Sequence, residues 1–226
     1  MTRVGCILGA LAIAAFAPFV GATRATAASN IVVNGDFELP DGGGATITNT
    51  PPTGWTNPFG NTDIVGPDTW DAASGKQSVD LNGNQRGGLY QDLTTTSGQD
   101  YLLRFAYAGN FYGPPTVKTF TVTFGGTSFA LSFDTTNSSQ HSMGWIYAQY
   151  NVTATATTTR LEFDSTTMNV PHGPAIDDVS VTPALGTAVA ETPLALFVVP
   201  VGAAAVGLTW VVSRRRDSRA AADHRR

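Results

Sequence analysis

The stretch "GPAIDDVSV", residues 173–181, sets two adjacent aspartates inside a short apolar run. Strand alternation sends residues 177, 179 and 181 to one side, so Asp177 is expected to share the buried face with Val179 and Val181 while Asp178 joins Ser180 outside. A carboxylate taken out of water without a partner is costly. Asp177 is therefore expected to accept backbone amides, to pair with Arg104, Arg160 or Lys76, to keep its proton, or to meet a bound cation. Asp178 reads as a solvated residue, and Asp80, in "SVDLNG", as a surface or turn residue.

Residues suited to catalysis are sparse. His141 and His172 each stand alone among polar turn residues, so no metal-binding histidine pair is spelled out. The only cysteine is Cys6, and no G-x-S-x-G elbow occurs. Glycoside hydrolysis needs two carboxylates about 5 to 9 Å apart, and no acidic motif singles out such a pair. A non-catalytic protein is expected.

The ends of the chain bound what remains. Arg3, the apolar run "VGCILGALAIAAFAPFV" and Ala25-Thr26-Ala27 have the layout of a signal peptide over residues 1–27. Residues 193–212 run without a charge, and about 20 apolar residues suffice to cross a bilayer as a helix. Arg214, Arg215 and Arg216 follow, which places the tail, residues 213–226, in the cytoplasm. The expected topology is a single-pass cell-membrane protein whose domain, residues 28–183, is extracellular and joined to the span by a tether over 184–192. Between Ala28 and Glu191 five basic residues face fifteen acidic ones, a net charge of −10 hidden by the whole-chain value of −4. Such a surface repels phosphate backbones, which excludes nucleic acid as a partner, and attracts divalent cations. Without cysteine, disulfides cannot hold the exported part together.

That part reads as all-β. "KTFTVTF" alternates Phe120, Val122 and Phe124 with Thr119, Thr121 and Thr123, the pattern of a sheet wet on one side. "YLLRFAY" repeats it with Tyr101, Leu103, Phe105 and Tyr107, and "RLEF" with Leu161 and Phe163. Turn signals at Asn34-Gly35, Ser74-Gly75, Asn82-Gly83, Ser97-Gly98 and Gly125-Gly126 separate short strands and offer residues that accept positive φ. A β-sandwich or jelly roll is expected.

"NIVVNGDFELP", "DIVGPDTWDAASGKQSVDLNG", "GGLYQDLTTTSGQDYLLRFAYAGN", "MGW" and "GPAIDDVSV" occur in the order seen in the bacterial choice-of-anchor C family, and the chain resembles that family over essentially the whole extracellular part. The resemblance implies a galactose-binding-like jelly roll, related to plant cell-wall proteins and carbohydrate-binding modules, ahead of a variable C-terminal anchor. It also implies a structural calcium ion joining the two terminal strands, with Glu38 and Asp177 as carboxylate ligands. Carbonyls near Ser74 to Lys76, and Asp36 or water, would complete a shell of six to eight oxygens.

Recognition of a polysaccharide or other glycan would need aromatic faces for the sugar rings and amides or carboxylates for the hydroxyls. Asn110, Phe111 and Tyr112 in "AGNFYGPP" are candidates, as are Trp70 beside Asp68 and Asp71, and Trp145 with Tyr147 on one face of a strand. Each has a packing alternative. An adhesion module or a structural envelope protein without sugar specificity is the other reading of the same residues.

Overall fold

In the computed structural model residues 28–168 and 170–184 are described. The chain divides into two compact units, Met1–Thr187 and Ala188–Arg226, and the described residues belong to the first. The expected signal peptide, membrane span, basic tail and most of the tether lie outside them. Among the described residues no helix is long and apolar enough to cross a membrane.

Nine strands are formed among the described residues: β1 (Asp63–Val65), β2 (Ser78–Asp80), β3 (Gly88–Thr94), β4 (Asp100–Gly109), β5 (Val117–Phe124), β6 (Thr127–Asp134), β7 (Ile146–Thr153), β8 (Thr158–Ser165) and β9 (Pro174–Pro183). They pair into a five-stranded sheet, β1-β2-β9-β4-β7, and a four-stranded sheet, β3-β8-β5-β6. Every pairing is antiparallel. This is the all-β sandwich expected from the alternation.

The alternating apolar residues meet between the sheets. Leu103 and Phe105 of β4, Phe120, Val122 and Phe124 of β5, and Leu161 and Phe163 of β8 are all buried in one cluster. Phe105 meets Phe163 edge-on at 5.1 Å between ring centroids. Burial of side chains of this size stabilises by about 1.5–3 kcal/mol each. The segment before β1 closes one side, packing Phe37 on Trp55 and Trp55 on Phe163. It crosses β9 so closely at Gly35 that a Cβ there would lie 2.0 Å from the Val179 carbonyl oxygen. Val179 in turn donates its amide to the Gly35 carbonyl at 2.8 Å.

One irregularity corrects the expected face of Asp177. Arg104 lies opposite Ser180 and Ala106 opposite Asp177, so β9 contains one more residue than β4 over this step, a β-bulge. Asp178 takes a φ of 46° there. The extra residue shifts the alternation: Val179 and Val181 point into the core on one side of the bulge and Ile176 does on the other. Asp177, opposite Ala106, therefore lies on the outer face of the five-stranded sheet. Residues 66–77 cover that face and bury it, in a second cluster with Val65, Trp70, Ala108, Met143 and Ala175.

Candidate functional site

Residues 66–71 organise the outer face. Trp70 is 1% exposed, and its indole Nε1 donates to Ser78 Oγ at 2.8 Å. It anchors the segment and cannot present a ring to a ligand, which corrects its expected role as a sugar platform. Its neighbours do the presenting instead. The Thr69 carbonyl accepts the Tyr112 hydroxyl at 3.1 Å, and the Asp71 carbonyl accepts the Trp145 indole Nε1 at 3.0 Å. Gln140 ties in the other side, accepting the Asp71 amide at 2.9 Å and donating to the Asp68 carbonyl at 3.1 Å. His141 Nδ1 stands 3.3 Å from Asp71 Oδ2.

Tyr112 is 55% exposed and stacks on Phe111 with centroids 4.3 Å apart. Trp145 is half-buried against Trp70's cluster. Tyr147, exposed, shares the outer face with Ala106, its partner across β4 and β7. Its hydroxyl donates to Asp178 Oδ2 at 3.0 Å, and the Arg104 guanidinium lies 3.8 Å from its ring centroid. Arg104 Nη1 donates to the same Asp178 oxygen at 2.8 Å. That bond holds the guanidinium pKa above its ordinary value. Burial and the same carboxylate push the Tyr147 hydroxyl up as well. Asp178 is thus a shared acceptor for two side chains, where a solvated residue was expected. Phe111, Tyr112 and Trp145 gather at residues 69–71 and the Trp70 cluster, while Tyr147 of β7 stands with Arg104 and Asp178. The polar tips of Tyr112, Trp145 and Tyr147 are fixed, so part of each ring remains available for apolar contact.

Asn110 belongs elsewhere. It is 7% exposed, its Nδ2 donates to Asp80 Oδ2 at 2.7 Å, and its Oδ1 accepts the Tyr112 amide at 3.0 Å. It supports Tyr112 without facing solvent, correcting its place among the ligand contacts. Asp80 is corrected too: it is 2% exposed, and Oδ1 accepts the amides of Asn82 and Gly173. Burial is the main cause that raises its pKa to about 7. Lys118, on which the charge of Asp80 acts, is sent inward beside Phe120 by the alternation of β5. It is fully buried, and its Nζ donates to the carbonyls of Gly113 and His172 at 2.8 and 2.9 Å. Burial lowers its pKa. A lysine in phase with three buried apolar residues was the available signal for this cluster.

Asp177 and Glu38 meet a common loop. Asp177 is fully buried; its Oδ2 accepts the amides of Ala73 and Ser74 at 2.8 Å each, and its Oδ1 that of Asp178 at 2.6 Å. Glu38 Oε1 accepts the amides of Lys76 and Gln77 at 2.7 and 2.8 Å. Of the partners considered for Asp177, backbone amides are the ones present. Arg104 is paired with Asp178, and Arg160 with Asp92. Asp36 is exposed, and so is Lys76, which joins the loop through its amide. Among the described residues no three His, Cys, Asp or Glu side chains gather as a metal would require. The two carboxylates nevertheless suit a hard cation, because five amides leave lone pairs free on both and carbonyls can fill the rest of the shell. Burial raises the Asp177 pKa to about 8 despite its three amides.

Similar solved structures include TmCBM61 in complex with beta-1,4-galactotriose, at 18% identity over 69% of this chain and 99% of that chain, with a TM-score of 0.48. The CBM22-1 xylan-binding domain of Paenibacillus barcinonensis Xyn10C is similar at 18% identity over 72% of this chain and 99% of that one, with a TM-score of 0.45. A family 35 carbohydrate binding module from Clostridium thermocellum is similar at 16% identity over 57% and 92%, with a TM-score of 0.43. All three scores lie below 0.5, so the sandwich rests on its own strand pairing. No curated protein matches the chain. The model of a family described as a protein of unknown function, DUF642, matches residues 30–182, about two thirds of the chain and nearly all of the sandwich, and the chain belongs to that family.

Proposed function

We propose that this chain is a membrane-anchored extracellular module that binds carbohydrate of the cell wall or surroundings, with a structural calcium ion between Glu38 and Asp177. The observation that carries the binding reading is the tethering of Tyr112 and Trp145 to the carbonyls that flank buried Trp70. Rings fixed by their polar tips lose little freedom when a flat sugar face stacks on them. Asp68, Asp71, Gln140 and His141 lie around the same segment and can serve hydroxyls. The uncharged run 193–212, the arginines after it and the resemblance to the choice-of-anchor C family support the anchor. Calcium, when bound, supplies positive charge beside buried Asp177. The reading includes no catalytic step.

A glycan array probed with the purified protein tests it. Saturable binding that Tyr112→Ala and Trp145→Ala each weaken about tenfold, at one ring's worth of stacking energy, is expected. Binding that neither substitution changes, or no binding to any glycan, would overturn it. A protein-adhesion reading is favoured by one feature, the exposed Val33 beside Ile31 and Leu93 at the edge of β3. Capture of a protein partner that Val33→Asp abolishes, with an empty glycan array, would select that reading.

A further inference from the structure

Lys118, Asn110 and Asp80 meet at one buried end of the sandwich. The Lys118 side chain runs inward from β5 with its Cγ 2.6 Å from the point that a Cβ on Gly109 would occupy, one residue before Asn110. The carbonyls of Gly113 and His172 then hold its amine. His172 is followed by Gly173, whose carbonyl accepts the Asn110 amide at 2.9 Å and whose own amide donates to Asp80 Oδ1 at 3.0 Å. Residues 172 and 173 thus gather the amine, the side-chain amide and the acid around one stretch of backbone. Lys118 is fully buried, Asp80 is 2% exposed and Asn110 is 7% exposed, so bulk water is kept from all three.

The hydrogen bonds give each group a distinct role. Among the described residues the Lys118 amine has two acceptors, the carbonyls of Gly113 and His172. A neutral amine spends both its N–H bonds on them and keeps its lone pair free, whereas an ammonium would carry a third N–H into a buried site without a partner. Burial lowers the Lys118 pKa and favours the neutral form. The Asn110 side chain is polarised from both ends. Its Oδ1 accepts the Tyr112 amide at 3.0 Å, a donor placed to stabilise negative charge on that oxygen during attack at Cγ. Its Nδ2 donates to Asp80 Oδ2 at 2.7 Å, which sets an acid against the nitrogen that would leave. Burial raises the Asp80 pKa to about 7, where the group can both give and take a proton.

We propose that Lys118 and Asn110 become joined by an intramolecular isopeptide bond, with Asp80 as the acid that carries the protons. The Nζ lone pair attacks Asn110 Cγ, and a C–N bond forms. Asp80 gives its proton to Nδ2 and is restored by the proton that Nζ sheds. The Cγ–Nδ2 bond breaks and ammonia leaves. The reaction consumes no oxidant, nucleotide or other co-reactant. The product amide keeps the Asn110 Oδ1, so the Tyr112 amide retains its acceptor. The bond ties the end of β4 to the start of β5 across the connection that carries Tyr112, a covalent brace where the described residues include no cysteine.

Intact-mass spectrometry of the purified, denatured full chain reads the bond directly. The expected mass is about 17 Da below that of the sequence from its mapped N-terminus, the mass of the ammonia lost, and trypsin is expected to leave the chain uncut after Lys118. Fragmentation of that peptide should place the link between residues 110 and 118. Lys118→Met, Asn110→Ala and the near-isosteric Asp80→Asn should each return the full mass. A wild-type chain that has the full mass and is cut after Lys118 overturns the proposal, whether or not the variants fold. A deficit that persists in Lys118→Met overturns it too, because ammonia would then have been lost at an Asn-Gly step such as Asn34-Gly35. These outcomes do not depend on glycan or calcium binding.

Discussion

Glu38 and Asp177 grip opposite ends of one loop: Asp177 takes the amides of Ala73 and Ser74, and Glu38 those of Lys76 and Gln77. One acid comes from the first described segment and the other from the last strand, so the loop that covers the outer face is pinned from both ends of the domain. Gly75 sits between the grips with a φ of 62°, and a Cβ there would lie 2.3 Å from Glu38 Oε1.

Substitution at these positions separates the amide role from the cation role. Asp177→Ala strands three buried donors and is expected to cost about 3 kcal/mol or more. Gly75→Ala should cost about 1–2 kcal/mol through its backbone conformation and its approach to Glu38. If calcium binds here, chelator lowers the melting temperature of the wild type, and Asp177→Asn no longer responds at this site. Thermal denaturation with and without chelator measures both effects.

The pH dependence of stability follows from the two buried acids. Asp80 and Asp177 have pKa values raised from 3.8 to about 7 and about 8. Below pH 3.8 both are protonated folded and unfolded, so their contribution is fully present there. As pH rises the unfolded chain releases these protons first, and the contribution is lost up to the folded values. In chelator, urea denaturation should show stability from these groups falling between about pH 4 and pH 8. A profile that rises throughout that window would contradict the burial of both acids.

Trp70 and Tyr112 should part company when replaced. Trp70→Ala empties a buried site and is expected to cost about 3–5 kcal/mol. Tyr112→Ala, at an exposed ring, should leave stability within about 1 kcal/mol while weakening glycan binding. Denaturant melts and binding isotherms on the two variants check the contrast.

The bulge makes Asp178 a test of backbone against charge. Its ion pair with Arg104 is about one third exposed on each side chain and is worth about 1 kcal/mol or less. Asp178→Gly loses the pair and relieves the φ of 46°, so the net change should be small. Asp178→Val loses the pair and strains a β-branched residue at positive φ, and should be about 1–2 kcal/mol worse than glycine. Equal stability of the two variants in urea denaturation would remove the bulge from the account.

Residue order alone determined the sandwich, because period-two burial is a local property: Phe120, Val122 and Phe124, or Leu103 and Phe105, declare their face without reference to other strands. The same logic drew attention to Asp177 and to Trp145 with Tyr147, whereas Phe111 and Tyr112 stood out by their place in the Gly- and Pro-rich connection "AGNFYGPP". The face of Asp177 could not be reached that way, since one extra residue in β9 reverses the alternation and a bulge is defined only by its partner strand. Trp70 looked like a platform because its neighbours are polar, yet the fold turns it under the loop it anchors. Asp80, Lys118 and Asn110 come from separate strands and strand ends, and only the closing of two sheets brings them together at one buried end. Local patterning settles which residues leave water; which charges then face one another depends on contacts between distant parts of the chain.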